Sequence, residues 1–168
     1  FMKILKLSEI VYTDGFNSNW EELMKSFEKG KFQKMEFIGE LNLSHLTYDD
    51  ASFVQLPDNL SVTGNLILSR SGIEKLPTIL SVNGNLNLAE TDIISIPKNF
   101  HVGGRLCLYN TPIKTLPDNL SIGGDLDLRK TSIKVLPKNL YVEGYLILSG
   151  TEIVSIPKDC EIGKGVIR

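Results

Sequence analysis

Asp125 and Asp127, one residue apart, are the first side chains in this sequence that could share a reaction. On an extended segment they project from the same face, where two carboxylates can divide the roles of general acid and base. No second base accompanies them, so catalysis is not expected there. The two histidines, His45 and His101, occupy unrelated places and read as surface side chains. Cys107 and Cys160 have no cysteine or histidine at zinc-ligand spacing. Gly103-Gly104 and Gly123-Gly124 do not open a helix, so they are not phosphate cradles. The expectation is a chain with no catalytic residue, no metal site and no cofactor: not an enzyme.

The elements that carry these residues are set by a repeat. Leu56-Pro57, Leu76-Pro77, Ile96-Pro97, Leu116-Pro117, Leu136-Pro137 and Ile156-Pro157 recur at a constant interval, with LPxNLxVxGxLxLxxTxIxx between them. The pairs Leu66/Leu68, Leu86/Leu88, Leu106/Leu108, Leu126/Leu128 and Leu146/Leu148 alternate with the period of a strand buried on one face. Stacked coils place these strands side by side in a parallel sheet. A slip of one residue would bury Asp125 and Asp127, which pins the register: Leu126 inside, Asp127 outside in water. Gly64, Gly84, Gly104, Gly124 and Gly144 precede each strand where the chain needs positive φ or close backbone approach. Ser71, Thr91, Thr111, Thr131 and Thr151 can bond to loop backbone inside the coil. Ile73, Ile93, Ile113, Ile133 and Ile153 then turn inward, and the prolines suit an extended return. Cys160 takes a place held by Leu or Phe in neighbouring coils and is expected in the core. Cys107 points outward from its strand, with nothing nearby to lower its pKa. The two lie three coils apart, about 14 Å at roughly 4.8 Å per coil, too far for a disulfide.

LxLxxTxI followed by Leu-Pro resembles the LxLxxNxL core of leucine-rich repeats, and the 20-residue length resembles the short class found in secreted bacterial effectors of the YopM and IpaH type. The resemblance implies an α/β repeat: a right-handed leucine-rich-repeat solenoid with one parallel β-sheet face and an N-terminal helical cap. Thr or Ser stands where that family has Asn. Val62, Val82, Val102, Ile122 and Val142 lie one place earlier than the family's usual Leu. A flatter β-solenoid is the alternative that these departures leave open.

One domain is expected. Residues 1–34 form the cap, a strand followed by an amphipathic helix over 18–29. Ser18-Asn19-Trp20-Glu21 is its capping box, Trp20, Leu23, Met24 and Phe27 its apolar face, and Gly30 its end. The solenoid runs over 35–168: an irregular first coil at 35–55, five regular repeats at 56–155 and a partial last coil at 156–168. A five-residue insertion within 44–55 is expected to bulge out with Tyr48, Asp49 and Asp50. The last strand either has its edge blunted by Lys164 and Arg168 or pairs with another chain, as in a homo-oligomer.

Net charge is −2, which gives no basic surface for nucleic acid, and no apolar run is long enough to span a membrane. With no signal peptide recognised and two free thiols, a cytoplasmic location is expected, in the producing cell or in a host cell. What remains is the outer face of the sheet. There Arg105, Tyr109, Asp125, Asp127, Arg129, Tyr145 and Ile147 cluster where small polar residues would suffice, and Tyr and Arg are frequent interface anchors. The bland alternative is a solvated face whose opposite charges pair across strands, such as Arg105 with Asp125. The expected function is non-catalytic protein–protein recognition through this face, by a pathogen or phage protein that inhibits a host factor. The alternatives are the recognition part of an effector whose ubiquitin-ligase-type domain lies elsewhere, and a structural protein that stacks end to end.

The missing ligand clusters yield a first test. Purified protein should carry no stoichiometric metal by elemental analysis, and EDTA should leave its melting curve unchanged.

Overall fold

The computed structural model describes residues 34–44 and 56–168, together with the backbone of two earlier strands, Lys3–Lys6 and Glu9–Thr13. Its described part is a parallel β-solenoid with a 20-residue spacing between coils. The helix expected at 18–29, its capping box, His45 and the insertion with Tyr48, Asp49 and Asp50 lie outside the described residues.

Each coil contributes to two sheets, which corrects the expectation of one. The first sheet orders its strands β1 (Lys3–Lys6), β2 (Glu9–Thr13), β3 (Lys34–Ile38), β5 (Asn59–Val62), β7 (Ile79–Val82), β9 (Asn99–Val102), β11 (Ser121–Ile122), β13 (Tyr141–Val142) and β15 (Glu161–Ile162). The second orders β4 (Leu41–Asn42), β6 (Leu66–Ile67), β8 (Leu86–Asn87), β10 (Leu106–Cys107), β12 (Leu126–Asp127), β14 (Tyr145–Ile147) and β16 (Gly165–Ile167). Every pairing is parallel except β1 with β2. The reason for the second strand is visible in β5 and β7. Leu60/Val62 and Leu80/Val82 alternate inward with the same period as Leu66/Leu68, and no proline interrupts their backbone donors. Val62, Val82, Val102, Ile122 and Val142 therefore belong to a sheet of their own.

The first sheet shortens along the solenoid. β5, β7 and β9 have four residues, whereas β11 and β13 have two. Asn119 (φ 60°) and Asn139 (φ 52°) take the left-handed conformation in the later coils, which interrupts the extended backbone before each strand. The two asparagines bond to one another, Asn139 Nδ2 donating to Asn119 Oδ1 at 3.0 Å.

Between the sheets runs one apolar core. Leu60 and Val62 face inward from one sheet, Leu66 and Leu68 from the other, and Ile73 closes the third side; equivalents repeat in each regular coil. Leu126 is fully buried, as the register requires. Cys160 packs against this core but remains half-buried, because no further coil covers it among the described residues. At the last strand Arg168 folds back, its Nη1 donating to the Ile153 carbonyl at 2.9 Å.

The glycine column answers to close approach rather than to positive φ. Gly84 N donates to Gly64 O, and Gly104 N to Gly84 O, at 3.0 and 2.9 Å. A Cβ on Gly104 would lie 2.9 Å from the Gly84 carbonyl carbon and oxygen, so the coils would have to move apart. Positive φ falls instead after the second strand, at Arg70, Glu90, Asn110, Lys130 and Gly150. The residue that follows closes this turn with its hydroxyl. Ser71, Thr91, Thr111, Thr131 and Thr151 donate to the carbonyls of Leu68, Leu88, Leu108, Leu128 and Leu148 at 2.6–2.9 Å. The Ser or Thr hydroxyl thus ties each coil to itself.

Two substitutions test this packing. Leu126→Ala should cost about 2–5 kcal/mol, and Gly104→Ala about 1–3 kcal/mol through forced separation of coils, both by urea denaturation. The exposed Lys98→Ala should cost under about 0.5 kcal/mol. A Gly104→Ala protein as stable as the parent would show that the column is not limited by contact.

Candidate functional site

The outer face of the second sheet carries the sequence-predicted residues in three rows, one per outward position of the coil. Three of the seven come together around a groove of about 520 Å³: Arg105, Tyr109 and Arg129 form one wall. The groove exists because side-chain length changes abruptly along the rows. Asn87 and Ala89 are short, and the coils after them put Arg105, Tyr109 and Arg129 beside them. Asn65 and Ile67 line it from the coil before, and Asn85, Leu86 and Cys107 complete the lining.

Asp127 does point outward from β12, yet it is fully buried, which corrects the expectation that it stands in water. Two arginines cover it. Arg129 grips it as a fork, Nε to Oδ1 at 2.8 Å and Nη2 to Oδ2 at 2.7 Å, and the Arg129 backbone N–H reaches Oδ1 at 3.2 Å. Arg105, one strand away, gives Nη2 to Oδ2 at 2.5 Å. The ion pair expected between Arg105 and Asp125 is therefore made diagonally, with Asp127. A long guanidinium reaches the diagonal neighbour easily, and Asp125 is already engaged: its Oδ1 accepts from the Tyr145 backbone N–H at 2.8 Å. Burial by itself pushes the Asp127 carboxyl up, but the bonds and charge of Arg129, joined by Arg105, outweigh it and hold the group below its ordinary range.

Tyr109 lies under two cations. Arg129 Cζ is 5.3 Å and Lys130 Nζ 5.2 Å from its ring centroid. Cys107 sits half-buried with its Sγ 3.9 Å from Asp127 Oδ2. Burial raises its thiol pKa, the Tyr109 backbone N–H partly opposes this, and the Asp127 charge raises it again. A thiol held protonated in this way is a poor nucleophile. Tyr145 and Ile147 stand outside the groove. Tyr145 is exposed with Lys164 Nζ 5.8 Å from its ring, and Ile147 pairs with Asp127 on one side and Ile167 on the other.

The residues that sequence reasoning passed over are asparagines. Asn65 Oδ1 accepts from Asn85 N at 2.9 Å, and Asn85 Oδ1 from Arg105 N at 2.7 Å, the same bond that Asp125 makes to the next coil. Asn87 Oδ1 accepts from Ala89 N at 3.0 Å, as Asp127 does from Arg129 N. Asn and Asp sharing a repeat position is the sequence signal for both roles, since these side chains cap nearby backbone donors.

The described fold defines this chain as a repeat protein of the parallel β-solenoid class. No protein-family model matches it, and neither does any curated protein or any solved structure. Among the described residues no group of His, Cys, Asp and Glu could hold a metal ion, and no helix is long and apolar enough to cross a membrane.

The Asp127 cluster yields a stability test. Asp127→Ala should cost about 1–3 kcal/mol, because two arginines lose the carboxylate that holds them, while Glu74→Ala on the exposed return should cost under about 0.5 kcal/mol. The sign with pH follows from a folded pKa below the unfolded one. The Asp127 contribution is complete above the unfolded value of about 3.9 and is lost as pH falls through the folded value. The gap in stability between parent and Asp127→Ala, followed by denaturation at successive pH values, should be constant near neutrality and narrow only below about pH 4.

Proposed function

We propose that this chain is a non-catalytic recognition scaffold that binds a protein partner through the outer face of its second sheet. The observation that carries the reading is the groove itself, with Arg105, Tyr109 and Arg129 as its wall. These side chains are not needed to fill the core, and they are of the types that anchor interfaces. Asp127 holds Arg129 by two side-chain bonds and Arg105 by one, and Arg129 lies against Tyr109, which reduces the side-chain freedom to be lost on binding. The wider group named from sequence divides accordingly: Asp125 serves the scaffold, whereas Tyr145 and Ile147 offer contacts to a partner that extends past the groove.

The leucine-rich-repeat resemblance belongs to this proposal. The LxLxxT segment, its short strand and the hydroxyl-closed turn after it support the likeness. The strands of the first sheet set this chain apart from a one-sheet arc.

A photo-crosslinking amino acid placed at Ala89, on the groove floor, should capture a protein from cells that the same group at Lys98 does not. Calorimetry with the captured protein then tests the face. Tyr109→Ala should weaken binding by about 1–3 kcal/mol, and Ala89→Trp, which fills the groove without entering the core, should weaken it similarly. Lys98→Glu and Lys138→Glu on the return side should leave affinity intact. Losses confined to the return-side variants would move the binding surface and sink the reading.

A further inference from the structure

The groove wall is built almost wholly from donors. The chain as a whole carries −2, yet both ionised side chains that line the groove are arginines, and the carboxylate they share is sealed beneath them. Two guanidiniums on one carboxylate leave a positive charge at the wall, and Lys130 stands beside it over Tyr109. The asparagines add donors of the same sense. Asn85 and Asn87 direct their Oδ1 atoms to backbone N–H groups, which fixes their orientation and leaves their Nδ2 amides for other acceptors.

The two arginines are not equally committed. Arg129 gives two side-chain bonds to Asp127 and lies against Tyr109. Arg105 gives one, and its Nε, shut off from solvent, meets no acceptor among the described residues. A buried donor left unpaired is unfavourable. An incoming carboxylate that draws the Arg105 guanidinium round can accept from two of its nitrogens at once, the stronger arrangement.

We propose that the groove holds an extended acidic segment of the protein partner, with a carboxylate on Arg105 and peptide carbonyls on the Asn85 and Asn87 amides. This rests on the recognition reading above and specifies its ligand. A peptide fits better than single-stranded nucleic acid, whose bases need an open aromatic platform. The Tyr109 ring is occupied by Arg129 and Lys130.

The test titrates the isotope-labelled chain with hexaglutamate, hexalysine and hexathymidylate, following backbone amides by NMR. Hexaglutamate should shift the amides of Asn87, Arg105 and Tyr109 in a saturable, salt-sensitive way, while hexalysine leaves them in place. Arg105→Gln should weaken hexaglutamate roughly ten-fold, within the usual range for an interface anchor, and Lys98→Gln should not; the same spectra report that each variant is folded. Tighter binding of hexathymidylate at these amides, an unchanged affinity in Arg105→Gln, or no shift in the groove would each overturn the proposal. A captured partner sensitive to Tyr109→Ala but not to Arg105→Gln, beside a silent hexaglutamate titration, would remove the acidic segment and leave the recognition face standing.

Discussion

Parallel stacking at a 20-residue interval places each strand's N–H groups opposite carbonyls of the next coil, and this in-register backbone contact is what the remaining structure accommodates. At the glycine column it leaves no room for a side chain, which would hold neighbouring coils apart. Leu, Ile and Val fill the core in repeated layers between the sheets and the return segment. The same contact explains why Asn and Asp recur just after the glycines. A short side chain there can accept the N–H of the following coil and extend the ladder through the turn.

The outer face inherits this regularity and then departs from it. Where Asn or Asp caps backbone, the face is scaffold. Where the repeat positions are filled by Arg105, Tyr109 and Arg129, long side chains rise beside short ones and a groove results. Asp127 connects both behaviours: it caps its own turn as Asn87 does, and it also anchors two guanidiniums. A buried carboxylate without those arginines would be costly. Its presence beneath them makes the cationic wall a defined surface rather than a set of mobile side chains.

The period, the inward leucines and the closing hydroxyls were all legible in the linear sequence, because each depends on residue type at fixed spacing and on local backbone bonding. Leu126 inside, Asp127 on the outer side and Thr91 bonded to its own turn follow from alternation and turn chemistry alone. Tertiary structure decided what depended on neighbours in space. Leu60-x-Val62 became a strand because the coils on either side offered it partners, whereas Asn119 and Asn139 cut the equivalent strands short by their backbone conformation. Asp127 became buried because Arg105 reaches it diagonally from the adjacent coil and Arg129 folds over it from its own, a coincidence of side-chain length and strand separation that no single repeat contains.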